Sequence, residues 1–449
     1  MVRDRGFYKK FFAMWVVLVL QNVVTLSVNL ADNIMLGAYS ESALSGVAAV
    51  NQIQFIYQYL LLAFGEGIVI VGSQYFGKKR TEPIRDITGF ALFLAFILSV
   101  VFFAMATFIP HLLMSAFTTD EAIIAEGIRY LNVIRFTYFF FAMTQILLAM
   151  LRSTGVVNIA LYLSVVTLGI NCSINYTLIY GHFGAPELGV EGAAIGTLVA
   201  RIVELCIAVY YVARKEKYVH LTLRSLRAGM DGMLRKDYVK VMIPMLVINA
   251  LWGFNNATQN AILGHMTARA IAANSVATTL FLLVKSTGQG SASTASFLIG
   301  HTIGEGNKEK LRQYAGTLQI LFLLIGIASG ITLFLLRIPI LSLYKLTPET
   351  KQMANRFLMI LAVVCVGMSY QMPTNAGIIR GGGDTRYCMI LDFISTWVIV
   401  IPLSFVMAFV VKASPVTVVW CLNADQIFKG LPAFLKCNFG HWAKKLTRD

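Results

Sequence analysis

The sequence predicts an all-α polytopic membrane protein with twelve spanning helices in two six-helix lobes, and three observations predict it. Of 449 residues, 57% are hydrophobic and only 13% charged, where soluble domains carry about a quarter charged residues. Continuous apolar windows of the roughly 20 residues needed to cross a bilayer recur twelve times. Finally, the chain repeats itself about half-way along: Asp32-Asn-Ile-Met-Leu-Gly37 aligns with Gln259-Asn-Ala-Ile-Leu-Gly264 at an offset of 227.

The first six windows lie near 11–38, 44–72, 88–109, 130–150, 158–180 and 189–213. The second six lie near 238–264, 271–300, 315–336, 354–379, 387–411 and 415–435. Their length and continuity exclude barrel strands, which alternate over about ten residues. Window 1 follows Arg3, Arg5, Lys9 and Lys10 and so imitates a secretion signal. It is too long for one, lacks a small-residue cleavage pattern and belongs to the repeat. The six cysteines lie in or at the ends of spans with no Cys-x-x-Cys spacing, which reads as small buried apolar residues.

A formal charge of +15 would suggest nucleic acid in a soluble protein, but here its placement is topological. With both termini cytoplasmic, 25 Lys and Arg fall on that side and only Arg129, Arg269, Arg337, Lys345, Lys351 and Lys412 on the other. The positive-inside rule therefore sets the orientation, and no nucleic-acid partner is expected.

Further pairs support the duplication. Gly77 and Gly304, and Gly89 and Gly316, are 227 apart; Arg152 with Gly155 matches Arg380 with Gly383 at 228; and Gly65-x-Gly67 matches Gly288-x-Gly290 at 223. Basic residues follow helices 2 and 8 alike, so the halves point the same way and each holds an even number of spans. Six plus six is a parallel repeat. The expected division is an N-lobe at 1–213, a cytoplasmic basic linker at 214–236 and a C-lobe at 237–449.

Asp32 is the first functional candidate, because an Asp deep in a span costs roughly 2.5 to 3.5 kcal/mol on insertion scales. Asn171 and Asn175 sit at i and i+4 on one face of helix 5, and amide oxygens suit a hard cation or a protonated carboxyl. They could equally glue helices together. Thr197 adds a hydroxyl beside the small-residue face of helix 6, Gly192-Ala-Ala-Ile-Gly196. Lys285 lies mid-span in helix 8 and must pair, with Asp392 for example, or line an aqueous cavity. Together with Trp252, Asn256 and Gln259 of helix 7 it forms the candidate substrate-cavity set. Glu66 lies nearer the cytoplasmic end of helix 2, where water can reach it. Arg201 and Glu204, three apart, are expected to pair with each other, and Asp425 is a further acid within a span.

Gly72-Ser-Gln-Tyr-Phe-Gly77-Lys78-Lys79 only approaches a phosphate-binding loop: Lys79 stands where Ser or Thr must hold magnesium, and a membrane helix precedes it. The six His residues show no metal spacing and no nucleophile elbow occurs. Neither an enzyme nor a cofactor is expected.

These segments together resemble the multidrug and toxic compound extrusion (MATE) transporters of the multidrug, oligosaccharidyl-lipid and polysaccharide (MOP) exporter superfamily. The carriers are Asp32-Asn-Ile-Met-Leu-Gly37, Leu151-Arg-Ser-Thr-Gly155, Gly189-Val-Glu-Gly-Ala-Ala-Ile-Gly-Thr197, Ala273-Asn-Ser-Val-Ala277 and Arg380-Gly-Gly-Gly-Asp-Thr385, in an order that runs along essentially the whole chain. The resemblance implies two six-helix lobes forming a V around a central cavity, and export of amphipathic, usually cationic compounds against inward proton or sodium flow. It carries over the N-lobe ion site as Asp32, Asn171 and Thr197. Asn175 stands where many members have Asp, so the site loses one negative charge. The C-lobe acids of some members fall on Trp252 and Ser369 here, which matches the branch that relies on the N-lobe, as known from bacteria and archaea.

The expected activity is therefore multidrug efflux by antiport with H⁺ or Na⁺, with alternating access of the two lobes in a bacterial or archaeal plasma membrane. The partners are a small organic substrate and the lipid bilayer, and the chain is expected to be a monomer with no bound metal beyond Na⁺ at Asp32. The alternative is a flippase for a lipid-linked saccharide of the same superfamily. A twelve-helix major facilitator lacks support, since Gly77-Lys-Lys-Arg occupies the loop where a Gly-x-x-x-Asp-Arg motif is expected. A non-transporting scaffold leaves Asp32 unexplained.

Overall fold

The computed structural model describes residues 2–219, 221, 232–266, 268–343 and 347–447, and no strand occurs among them. Most of the linker expected at 214–236, namely 220 and 222–231, lies outside the described residues, as does Lys345. Backbone N–H and C=O groups find no partners in lipid, so apolar runs of this length close their hydrogen bonds internally as helices.

All twelve predicted spans fall on helix. The first half holds α1 (Arg5–Tyr39), α2 (Glu41–Gly77), α3 (Glu82–Phe108), α4 in two pieces (Glu121–Ile134 and Thr137–Ser153), α5 (Asn158–Tyr180) and α6 (Val190–Arg214). The second holds α7 (Gly232–Gly264), α8 (Ala268–Glu305), α9 (Lys308–Leu343), α10 (Pro348–Ile379), α11 (Thr385–Val410) and α12 in three pieces (Pro415–Leu422, Asp425–Phe428, Gly430–Phe439).

Among the described residues nine helices are long and apolar enough to cross a membrane by themselves, and the α4 pair, bent by 55°, makes ten. The other two depart for reasons visible in their residues. Helix α8 carries the polar run Lys285-Ser-Thr-Gly-Gln-Gly-Ser-Ala-Ser-Thr294, and α12 is interrupted at Asn423 and Lys429.

Local signals fix several ends. Gly181 closes α5 in the left-handed conformation at φ 69°, which a glycine adopts without a Cβ penalty. Helix α10 begins with Pro348 behind a Thr347 cap, and α12 with Pro415 behind a Ser414 cap, both using the fixed φ of proline at the first helical position. The π-helical turns Thr374–Ile379, Ile394–Val400 and Val406–Val410 interrupt α10 and α11. Such turns frequently mark functional sites.

By contacts the chain divides into two compact units. One comprises Met1–Val19, Ser73–Lys78 and Ile243–Asp449, and the other Leu20–Gly72 and Lys79–Met242. This division differs from the lobes drawn from the repeat only at 1–19, 73–78 and the linker side of Met242. The second unit is centred on Tyr57, Phe102 and Tyr138; the Tyr57 hydroxyl donates to the Tyr138 carbonyl at 2.7 Å. There α6 lies so close to α5 that a Cβ at Gly192 would meet the Leu178 carbonyl at 2.7 Å, as a small-residue face permits. The first unit is packed around Phe357, Leu361, Cys365 and Leu422. The start of α1 is fastened there by Val2 N–H donating to Thr317 Oγ1 at 2.9 Å and Trp15 Nε1 donating to the Thr287 carbonyl at 3.1 Å.

The cysteines are all free, and Cys365, Cys388 and Cys437 are buried. Cys172 and Cys421 are half-buried and Cys206 is exposed, a departure from the expectation that all six are buried.

Candidate functional site: an acid on amides and a four-charge cluster

Two ionisable clusters stand out, one in each unit. In the second unit the four predicted N-lobe residues form one hydrogen-bonded chain. Asn175 Nδ2 donates to Asp32 Oδ1 at 2.7 Å and to Asn171 Oδ1 at 3.1 Å, and Asn171 Nδ2 donates to Thr197 Oγ1 at 3.1 Å. The i, i+4 spacing of the two amides produces their mutual contact, and both are buried. Asp32 itself is half-buried. Asn175 Oδ1 is buried without a hydrogen-bond partner, and it faces Gly196, where a Cβ would overlap it. A buried unpaired acceptor beside a carboxylate costs about 1 to 3 kcal/mol, so this corner of the site is polarised to receive a proton donor or a cation.

Arg201 pairs with Glu204 at 2.6 Å, as the i, i+3 spacing predicts, while its guanidinium packs over Phe141 at 4.6 Å. Its field also reaches Asp32. Buried Tyr130, on the first piece of α4, faces Thr197 and Asp32. Sequence reasoning passed over Tyr130, because a tyrosine among apolar residues has no spacing signal to separate it from core. Glu66 is half-buried within electrostatic reach of Arg152, so bulk water is not its whole environment.

The first unit holds the second cluster, and here one expected pairing is corrected. Asp392 does not pair with Lys285. Its partner is Lys429, at 3.0 Å, and Lys429 also binds Asp425 at 2.9 Å. Lys429 is almost wholly buried and central, so the two carboxylates converge on it first. Its signal was present in the sequence as the i, i+4 pair Asp425 and Lys429. The network extends through Gln426, which donates to Asp425 Oδ2 at 2.9 Å and accepts from Gln371 Nε2 at 2.8 Å; Asn375 in turn donates to Gln371 Oε1 at 3.2 Å.

Lys285 sits with its ammonium 3.9 Å from the centroid of Trp252. A desolvated cation–π contact is worth about 2 kcal/mol against an insertion cost of roughly 2.5 to 3.5 kcal/mol, which leaves the charge partly uncompensated. Gln259 is engaged within its own helix, donating to Asn255 Oδ1 at 3.2 Å, and Asn256 is exposed. Of the predicted cavity set the structure therefore joins only Lys285 and Trp252. Among the described residues no group of three or more His, Cys, Asp or Glu could hold a metal ion.

A model of the MatE family matches residues 18–177 and again 244–406. The chain belongs to this family. The two matched segments fall one in each half, as the internal repeat requires. Among curated proteins this MatE chain is 27% identical over 435 residues to a probable multidrug resistance protein NorM of Thermotoga maritima, covering 96% of the chain and 92% of that protein. It is 25% identical over 421 residues to the multidrug resistance protein MdtK of Pectobacterium atrosepticum, covering 89% and 87%. Among solved structures it is similar to a MATE protein crystallised in complex with MaL6, at 22% identity and a TM-score of 0.86, covering 96% and 95%. A MOP superfamily transporter from Pyrococcus furiosus, described as having a binding pocket of reverse polarity that suggests a different function, is similar at 20% identity and a TM-score of 0.86, covering 96% and 94%. The protein is an integral membrane transporter of the MatE family, with the all-α two-lobe fold of its relatives.

Proposed function

We propose that this transporter exports amphipathic organic compounds by antiport, with Asp32 as the coupling-ion site and the proton as the coupling ion. The observation that carries the reading is the hydrogen-bonded chain from Asp32 through Asn175 and Asn171 to Thr197. A lone carboxylate in a low-dielectric span is poised to take up a proton. Sodium would have to rely on one negative charge and neutral oxygens, because Asn175 supplies no second carboxylate. Protonation of Asp32 removes the charge that Asn175 and Arg201 stabilise. If that shift and substrate binding favour opposite arrangements of the two lobes, transport is coupled by alternating access. Exchange of one monovalent cation for one proton moves no net charge, so the membrane potential, about 2.3 kcal/mol per charge per 100 mV, drives nothing and the proton gradient does the work. The names of the curated relatives support multidrug efflux, and the placement of basic residues supports cytoplasmic termini in a prokaryotic plasma membrane. The chain acts as a monomer in this reading.

The test is efflux of a fluorescent organic cation from sealed vesicles under an imposed pH gradient or an imposed sodium gradient. Transport should follow the pH gradient and vanish in Asp32→Asn, which is nearly isosteric but cannot titrate, with expression retained. Wild-type rates in that variant refute the site, and transport that follows sodium at constant pH refutes the ion. The flippase alternative draws its support from the Lys285 ammonium; translocation of a lipid-linked saccharide in the same vesicles, without cation efflux, would favour it.

A further inference from the structure

We propose that residues 440–447, the segment after α12, are a strap that holds the last turn of α2 in the first unit and slows the transport cycle, a proposal that rests on the transport reading above. Segments beyond a last helix fray unless something ties them down, and this one is tied at several points without forming helix or strand. The Trp442 ring is buried on the turn between α10 and α11, where a Cβ at Gly382 would meet it at 2.5 Å. Its Nε1 donates to the Cys437 carbonyl at 2.7 Å. Lys444 N–H donates to the Gly382 carbonyl at 2.8 Å. The ion pair of Lys444 with Asp384 lies at the half-exposed edge of this contact and adds little.

From there the segment reaches α2. Gln74 Nε2 donates to the Lys444 carbonyl at 3.1 Å, and Gln74 Oε1 accepts from Leu446 N–H at 2.8 Å. One side-chain amide thus pairs with the strap backbone through both its donor and its acceptor. Gln74 is fully buried, and among the described residues its side chain has no other hydrogen bond, so release of the strap strands a buried amide. Ser73–Lys78 belong to the first unit, whereas residues 41–72 of the same helix belong to the second. Within the first unit that last turn also packs on α8: a Cβ at Gly77 would overlap the His301 carbonyl, and one at Gly304 the Gln74 carbonyl. When the body of α2 moves with the second unit during alternating access, its last turn is drawn out of these contacts. The strap opposes that step.

The measurement is amide hydrogen exchange of the purified full-length chain, in wild type and in two variants that leave α2 and α8 untouched. Leu446→Pro removes the N–H that Gln74 accepts, and Trp442→Ala removes the buried anchor. Each should speed exchange about threefold or more in residues 73–78 and 300–305, with residues 28–36 around Asp32 unchanged. Leu446→Pro decides the matter if Trp442→Ala does not fold. A rise confined to residues 440–447, or one spread equally over residues 28–36, overturns the strap. In the vesicle assay Leu446→Pro should also raise efflux about twofold at the same pH gradient. Efflux at or below the wild-type rate overturns the role in transport, as it would if α2 bent at Gly72-Ser73 and left its last turn seated. Hydrogen exchange needs no coupling ion, so failure of the antiport reading and failure of the strap are read in separate assays.

Discussion

Asp32 in one unit and Lys429 in the other are both charged side chains within membrane spans, yet their surroundings treat the charge in opposite ways. Asp32 leans on neutral amides: one bond from Asn175, whose own oxygen stays unpaired, and beyond it Asn171 and Thr197. Lys429 is clamped by two carboxylates at 3.0 and 2.9 Å and is itself almost fully buried. A charge held by neutral dipoles can be gained or lost with small rearrangement, whereas removing one member of a compact ion cluster strands the others. The comparison teaches that a membrane charge is not functional by position alone. The proposed coupling role fits the Asp32 arrangement, a carboxylate resting on neutral amides, whereas the Lys429 arrangement is an ion cluster whose members hold one another in place.

The largest structural effect is expected from breaking the clamp. Lys429→Met leaves Asp392 and Asp425 facing each other without their shared cation, and breaking a buried pair in this way typically costs about 3 to 5 kcal/mol. Thermal unfolding in detergent should show a large fall in Tm, and Lys429→Met combined with Asp392→Asn and Asp425→Asn should recover most of it. A Lys429→Met protein as stable as wild type would show that the cluster is solvated, and the contrast with Asp32 would lose its basis.

Gly196 offers a smaller perturbation in the other unit. A Cβ there overlaps Asn175 Oδ1, so Gly196→Ala should push the amide away from Asp32, at about 1 to 3 kcal/mol for overpacking, and should reduce proton-driven efflux several-fold. Gly169→Ala on α5, where a Cβ meets nothing within 4 Å, is the matched control and should leave efflux unchanged. Equal efflux in both variants would mean that the Asn175 to Asp32 bond does not matter for coupling.

Much of this was legible in the residues because the bilayer enforces a simple rule: long apolar runs become helices and embedded charges need partners. The twelve spans, the two halves and the grouping of Asp32, Asn171, Asn175 and Thr197 all follow from length, repeat and i, i+4 spacing, with the resemblance to MATE transporters supplying the pairing across helices. The repeat is legible even in backbone conformation, since the matched glycines Gly155 and Gly383 both adopt positive φ, at 82° and 97°. What escaped was contact between elements distant in sequence. Asp392 lies 37 positions before Lys429, and nothing in its neighbourhood ranks Lys429 above Lys285 as its partner. Tyr130 escaped too, because an aromatic residue reads the same whether its polar tip meets a partner, a site or only core.

The smallest expected effect tests the matched turns of the two halves, where Gly155-Val156 faces Gly383-Asp384 in the repeat. Only the second turn carries an acid, which stands just before α11 without a side-chain capping bond and instead binds Lys436 at 2.9 Å and Lys444 at 2.7 Å. Burial alone would raise the Asp384 carboxyl, but the hydrogen bonds from Lys444 and Lys436, with their charges, bring it below the ordinary carboxylate range. A carboxyl depressed in the folded state stabilises the fold above its unfolded value, about pH 4, and that increment is lost as the pH falls through the folded value. Because Lys444 is half exposed, the increment should be on the order of 1 kcal/mol or less. Asp384→Asn should therefore lower Tm slightly at pH 7, and the gap between variant and wild type should close as the pH is taken below about 4. Efflux under a pH gradient near neutrality should be unaffected. A Tm gap that persists unchanged into acid would show that Asp384 acts through shape instead of through its charge, and the two turns would then differ in sequence without differing in electrostatics.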